Sequence, residues 1–596
     1  MFWFLFTPLN RIMDSSELTR RRQARLLYAN YITERTRADG GCSVPPRFLN
    51  GGPYTAQSFT ETIEGSVFTT TEQYNAVLAA ASCQPVSTGD GVYIVGQFQN
   101  DPISFYGAQT TTAVQIHTVN NGNNWASFLV KYSWDGTPVW SARVGAVVAD
   151  QSGTLAGTDY PSICVSEDGS IYVFGHAWFD GTTNNYIYAY NTAASSPTVS
   201  MPVLNVNRAE WLVKYNANGQ IQWATFMSYH VTNNDFLPRP FIVSDANNNV
   251  YVQLNKANNN MYVYDAGNTQ TSSASLVNVS NSDVFIVKYD NAGQFQWYSV
   301  LSSTAADNAA AMTCDAQNNL YVGISRYNTT SLAIYTNSNM SAPNFTLAGG
   351  DSGNWYYSIM KYNAQTGNIS WATNIRGVAN SSPFNMSTDS LTNLYVAVSY
   401  SAGQLAIYSQ NNQNTPTFTV PVRTQSQEMA LVKYNSEGIA QWVSTIVGTN
   451  NEQQPLVAVN SDNEIIVVGQ SYSDSIDIYD DGSASVNRTL HFGLSDAKVF
   501  IVKFAPSGTS EWASYIGSFS YGDIRCDMKV NTNNYIVITG MLSPISVNFY
   551  NTTGSSVLSL QNQTQNDVCF LVAYNTAGTP VWRTYGTGQA QPQLAI

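Results

Sequence analysis

Charge is scarce in this chain of 596 residues: 11% are Asp, Glu, Lys or Arg, and four are histidine. So few ionisable groups leave little from which to assemble acid–base or metal chemistry. His117, His176, His230 and His491 stand far apart, with no HExxH, His-x-His or Cys–His spacing that would build a zinc site. There is no GxSxG elbow and no glycine loop shaped to cradle phosphate. The expectation is no catalytic residue, no cofactor and no metal.

Cysteine is sparse as well. Cys42, Cys83, Cys164, Cys314, Cys526 and Cys569 lack the spacing of a disulfide framework, which points to a reducing site of synthesis. Only Cys42 with Cys83 could bridge the N-terminal region. Long apolar runs are missing too. The opening MFWFLFTPLNRI is too short to span a bilayer and lacks the basic flank and cleavage site of a secretory signal. Residues 1–13 are read as an apolar tail that could seat in a partner's groove or touch a membrane surface, or as a stretch upstream of a functional start at Met13.

The net charge of −13 argues against nucleic acid as a partner. It is unevenly spread. Residues 1–50 carry eight arginines against four carboxylates, a net of +4, which leaves −17 for the rest.

What the chain does have is repetition. FLVKYSWDGTPVW, WLVKYNANGQIQW, FIVKYDNAGQFQW, SIMKYNAQTGNISW, ALVKYNSEGIAQW, FIVKFAPSGTSEW and FLVAYNTAGTPVW place tryptophans at 140, 223, 297, 371, 442, 512 and 582, at intervals of 83, 74, 74, 71, 70 and 70 residues. Fixed-period self-similarity means one supersecondary unit copied and stacked. Each phrase is a hairpin: period-two alternation, then a turn glycine (Gly136, Gly219, Gly293, Gly367, Gly438, Gly508 and Gly578), then the tryptophan arm. A second hairpin phrase keeps step (EDGSIYVFG, QNNLYVGI, LTNLYVAV, DNEIIVVG), and a third series carries Tyr106, Tyr190, Tyr264, Tyr335, Tyr408, Tyr479 and Tyr550.

Each unit therefore holds four core strands and an extra hairpin between the second and third. Closing seven such units into a ring removes the exposed edges of an open stack. The predicted fold is all-β: a seven-bladed β-propeller over residues 84–588, with an inserted hairpin per blade and a C-terminal tail at 589–596. The first unit's opening strand, near CQPVST, is weak, so the ring closes either with seven complete blades or with a composite one. A helical N-terminal module is expected over 14–83. Asp14 and Glu17 make a capping box for a helix over 14–37, with Ala24, Leu27, Tyr28, Tyr31 and Ile32 as its apolar stripe, and a second helix is expected over residues 70–81. Its arginines serve either as a solvated face on the ring or as a docking arm for another protein.

FIVKYDNAGQFQWYSV followed by AAAMTCDAQNNLYVGIS resembles the SBBP β-propeller repeat, which implies the fold and leaves activity open. MDSSELTRRRQARLLYANYITE, with the glycine-cysteine, Asn-Gly-Gly and TTTEQYNAVLAAA segments after it, resembles the N-terminal segments of structural proteins of large double-stranded DNA viruses of algae and protists. That likeness implies a virion component made in the host cytoplasm, its N-terminal module docked on capsid proteins and its propeller displayed. On it rests the expected function: a non-enzymatic minor capsid or capsid-associated protein working through protein–protein contact.

The alternatives are an adhesin that binds a host surface protein or glycan through the inserted hairpins, and a propeller lyase or hydrolase with residues gathered at the axis. The tryptophans are read as packing between neighbouring units rather than as sugar platforms. Asp245, Asp315 and Asp389 alternate with Ser166, Asn460 and Asn531 at one turn position, so turn hydrogen bonding is expected there. Asp474, Asp477, Asp480 and Asp481 lack EF-hand spacing and spread over two faces. The Asn-x-Ser/Thr matches at Asn278, Asn328, Asn339, Asn344, Asn487 and Asn551 are read as compositional.

Overall fold

Period-two alternation on either side of short Asn/Asp/Gly turns makes the computed structural model an all-β one. It describes residues 75–81 and most of residues 91–587, all within one compact unit, Phe59–Ile596. The described residues form 42 strands and no helix, arranged in antiparallel sheets. Residues 1–74, and with them the apolar tail, the helix expected over 14–37 and Cys42, lie outside the described residues, as does Cys83.

The tryptophan phrase folds as expected. In the fifth unit Glu428–Tyr434 and Ala440–Gly448 pair across a turn in which Gly438 takes φ 74°. The Asn435 carbonyl accepts from Gly438 N, and its side-chain Oδ1 accepts from the amides of Glu437 and Ile439. The register slips by one residue between Lys433 and Tyr434, a bulge that recurs at the equivalent place in all seven copies.

The second expected helix is a strand. Asn75–Ala81 pairs antiparallel with Val92–Gln99, from Asn75↔Gln99 to Ala81↔Tyr93, and is the opening strand of the first unit. NAVLAAA is rich in good helix formers, but helix propensity differs by less than about 1 kcal/mol per residue, and a waiting strand edge outweighs it. The first unit therefore has four strands of its own, and the opening strand ends two residues before CQPVST.

The inserted hairpins do not stay with their own units. Asn185–Tyr190 and Val199–Val203 leave the second unit and pair onto Pro138–Val148, the last strand of the first. The hairpins of the third to seventh units do the same to the unit before each. The seventh unit is a four-stranded sheet, and the first unit's hairpin, Ile103–Tyr106 with Ala113–His117, forms a separate two-stranded ladder.

The opening strands, Asn75–Ala81, Ala156–Val165, Phe241–Ser244, Asp307–Cys314, Asn385–Thr388, Glu452–Val459 and Cys526–Val530, lie side by side in chain order, and the last lies beside the first. Among the described residues there are seven hydrophobic clusters, each lined by two units. One of them joins Val92, Ile94, Phe128 and Val130 of the first unit to Val537, Leu571 and Ala573 of the seventh.

Candidate interaction surface

Antiparallel connectivity gives every unit two ends. The turns from first to second strand and from third to fourth lie at one end; the connections between units and the roots of the inserted hairpins lie at the other.

The turn end is a chain of latches. Trp371 of the fourth unit donates its Nε1–H to the Ser436 carbonyl in the fifth unit's turn at 3.0 Å, and Lys361 Nζ donates to the same oxygen at 3.3 Å. Lys361 sits 5.1 Å from the Tyr321 ring centroid, and Tyr321 donates its hydroxyl to Asp315 Oδ2 at 3.1 Å. The turn glycine Gly438 lies flat against the indole. Trp140, Trp223, Trp297, Trp442 and Trp512 repeat the indole bond to Ala217, Asn291, Ala364, Pro506 and Thr576 of the following unit. The expected packing role of the tryptophans is what the structure shows.

The aspartates behave as turn residues. Asp245, Asp315 and Asp389 each accept two backbone amides of their own turn, and Asn460 and Asn531 do the same with amide oxygens. The turn asparagines Asn318, Asn463 and Asn534, all at positive φ, reach back to accept the amides of Ala246, Ser390 and Ser461 in the preceding unit. These bonds tie the turns to their own units and to the neighbouring ones.

The opposite end holds buried carboxylates. Glu428 Oε1 accepts the amides of Arg423 and Thr424, and its Oε2 accepts the Tyr400 hydroxyl at 2.7 Å. Glu452 takes Ser471 Oγ and Ser473 Oγ on Oε1 and the Gly448 amide on Oε2. Burial pushes the Glu452 carboxyl up to about 7 against the pull of those donors, and the nearby Glu428 adds to the rise. Asp283 accepts the Val279 amide, and Asp307 takes Ser303 Oγ and the Arg326 guanidinium. Burial raises Asp307 to about 6 even so. Their partners are loop amides, hydroxyls and a guanidinium of their own chain, so these acids fix where each connection leaves its sheet.

Sequence reasoning missed this set, because its members occupy different strand positions and are drawn together only by sharing an end. The signal available was an acid at the head of an apolar strand, as in EMALVKY and SDVFIVKY.

Two of the histidines have described side chains. His176 is buried, its Nδ1 3.0 Å from Glu210 Oε1, while His491 is exposed and His230 lies outside the described residues. Among the described residues no group of three or more His, Cys, Asp or Glu is placed to hold a metal ion. Asp477 accepts the Thr489 hydroxyl across its own hairpin. Cys164, Cys314 and Cys526 lie partly buried in first strands with free thiols. Among the described residues, exposed large apolar side chains include Tyr262, Val277 and Val279 on the third unit's hairpin and the segment following it, with Val139, Tyr327, Leu391 and Val486 in other units.

Over 416 residues the chain is 23% identical to an uncharacterised WD repeat-containing protein of Acanthamoeba polyphaga mimivirus. The chain is thus similar to a repeat protein of a giant virus. The match covers 62% of this chain and 29% of that relative's length, so the chain spans well under half of it. A solved protein of unknown function from Dyadobacter fermentans DSM 18053 covers 71% of this chain and 95% of its own at 8% identity, with a TM-score of 0.31, too low to argue from. No family model matches the chain, so the likeness to the SBBP repeat rests on the quoted phrases.

Proposed function

We propose that residues 75–587 close into a seven-bladed β-propeller that serves as a non-enzymatic protein-interaction scaffold of a large double-stranded DNA virus. The observation that carries this reading is the cyclic set of seven two-unit cores, the last formed by the seventh and first units. A ring with one end locked by repeated latches leaves the connections and hairpins of the other end to vary without disturbing the blades.

The virion half of the proposal is supported by the resemblance of the N-terminal segment to viral structural proteins and by the mimivirus relative. In this reading the arginine-rich segment docks on capsid proteins, and the ring is displayed. Cross-linking mass spectrometry on purified particles tests it. Links from residues 14–37 to capsid subunits are expected; absence of the protein from particles would overturn the virion assignment. A second reading, attachment to a host surface protein or glycan, draws on exposed Tyr262, Val277 and Val279. Its test is binding of the purified chain to host-cell extracts and glycan arrays, with Tyr262→Ser expected to weaken it.

A further inference from the structure

Six of the seven fourth strands have their outer edge covered by the hairpin of the following unit, and the rule of register is the same each time. Counting from the repeat tryptophan, the third residue onward faces the hairpin's repeat tyrosine: Arg143 faces Tyr190, Val300 faces Tyr335 and Thr445 faces Tyr479. Met227↔Val263, Ile375↔Ile407 and Ile516↔Phe549, each one step further along, extend to the same alignment. The Tyr408 amide, donating to the Asn374 carbonyl, confirms it for the fourth unit.

Among the described residues the seventh unit's last strand, Pro580–Thr587, shows no such ladder, and the strands of the first unit's hairpin pair with each other. These two leftovers lie side by side, since Ile103–Tyr106 runs beside Pro580–Thr587. We infer that the first hairpin is the clasp of the ring: it adds to the outer edge of the seventh sheet in the common register, with Tyr106 opposite Tyr585, Phe105 opposite Gly586 and Ser104 opposite Thr587. This inference rests on the seven-bladed ring proposed above. In chemical terms the surface is the outer edge of Pro580–Thr587 at Tyr585, Gly586 and Thr587, and its occupant is the strand Ile103–Tyr106 of the same chain. The edge wants backbone donors and acceptors, and an open one pairs with other copies. Closure by this route links the two ends of the repeat array through an added hairpin, while all seven blades keep four strands of their own.

The test is a pair of cysteines. Facing residues of a hydrogen-bonded antiparallel pair have Cα atoms about 5.5 Å apart, inside the window of about 4.4–6.8 Å that a disulfide accepts. Tyr106→Cys with Tyr585→Cys should oxidise to an intrachain bridge, seen as a linked peptide pair at the mass of one chain. Phe105→Cys with Tyr585→Cys, on opposite faces, should not. A bridge between two chains would overturn the clasp in favour of exchange between copies, and no bridge at all in a variant whose circular dichroism matches the parent would overturn the register. Hydrogen exchange on the unaltered chain gives an independent reading: the Tyr585 amide is expected to be slowed at least about 100-fold, and exchange at the free-chain rate refutes the clasp. Particle images separate the two levels of failure. A closed seven-lobed ring without the bridge refutes the clasp alone, whereas an open arc refutes the ring.

Discussion

Replacing Gly438 by alanine tests whether the turn end is a latch between units or a row of independent turns. Gly438 holds φ +74°, and a Cβ built there would lie 2.7 Å from Trp371 Cδ2 and 2.9 Å from Cε2. The indole cannot simply withdraw: it is buried, bonded to the Ser436 carbonyl at 3.0 Å and packed 5.9 Å from the Tyr321 ring. Alanine in the left-handed region costs about 1–2 kcal/mol, lessened by about 0.4–1 kcal/mol because the unfolded chain loses freedom. Displacing a packed indole adds about 1–3 kcal/mol.

Gly482 supplies the control, with φ +69° and nothing within 4 Å of the added carbon. Gly482→Ala therefore carries the backbone cost alone, and Gly438→Ala should exceed it by about 1–3 kcal/mol. In a Trp371→Ala background the excess should vanish, because the atoms that the methyl group would strike are gone. Urea unfolding followed by fluorescence and by circular dichroism gives these energies, provided the two probes coincide, which a chain of many units must be shown to satisfy. Equal costs at the two glycines, or additivity with Trp371→Ala, would refute the latch.

Three further outcomes are expected. Glu452 has its folded value raised from an ordinary 4.5 to about 7, so its contribution to stability is greatest in acid and is lost as pH rises from about 4.5 through about 7. The parent's melting temperature should fall across that window, and Glu452→Gln should flatten the fall; an unchanged slope refutes the assignment. Trp442→Phe removes the indole bond to Pro506 at 3.2 Å while keeping an aromatic ring, and should cost about 0.5–1.5 kcal/mol plus a small packing term in urea unfolding. Asn534→Gly keeps the left-handed turn but removes three bonds to the sixth unit, those donated to Oδ1 by the Ser461 amide and hydroxyl and that donated by Nδ2 to Asp462 Oδ2, and should cost about 1–3 kcal/mol; a neutral result would mean that the reach between units contributes nothing.

Much of the fold is legible in the residues because its signals are local. Gly438 between Asn435 and Trp442 specifies a hairpin wherever it is placed, and Asp389 specifies its turn through amides two and four residues on. NAVLAAA misleads for the converse reason: alone it favours helix, and only the edge of Val92–Gln99 makes it a strand. Glu428 and Glu452 show the same limit at the connection end. Nothing in either segment marks their proximity, which comes from two successive units placing strand ends side by side.

The sequence by itself therefore determined the unit, its two hairpins, its count and the packing role of its tryptophans, since alternation, turn chemistry and period act within a few residues. Only the tertiary structure decided that the inserted hairpins of the second to seventh units join the preceding sheet, that residues 75–81 open the first, and that the seventh unit shares a core with the first. A strand edge accepts any partner of suitable length, so the choice among partners is made by the geometry of neighbouring sheets and not by the residues of the strand itself.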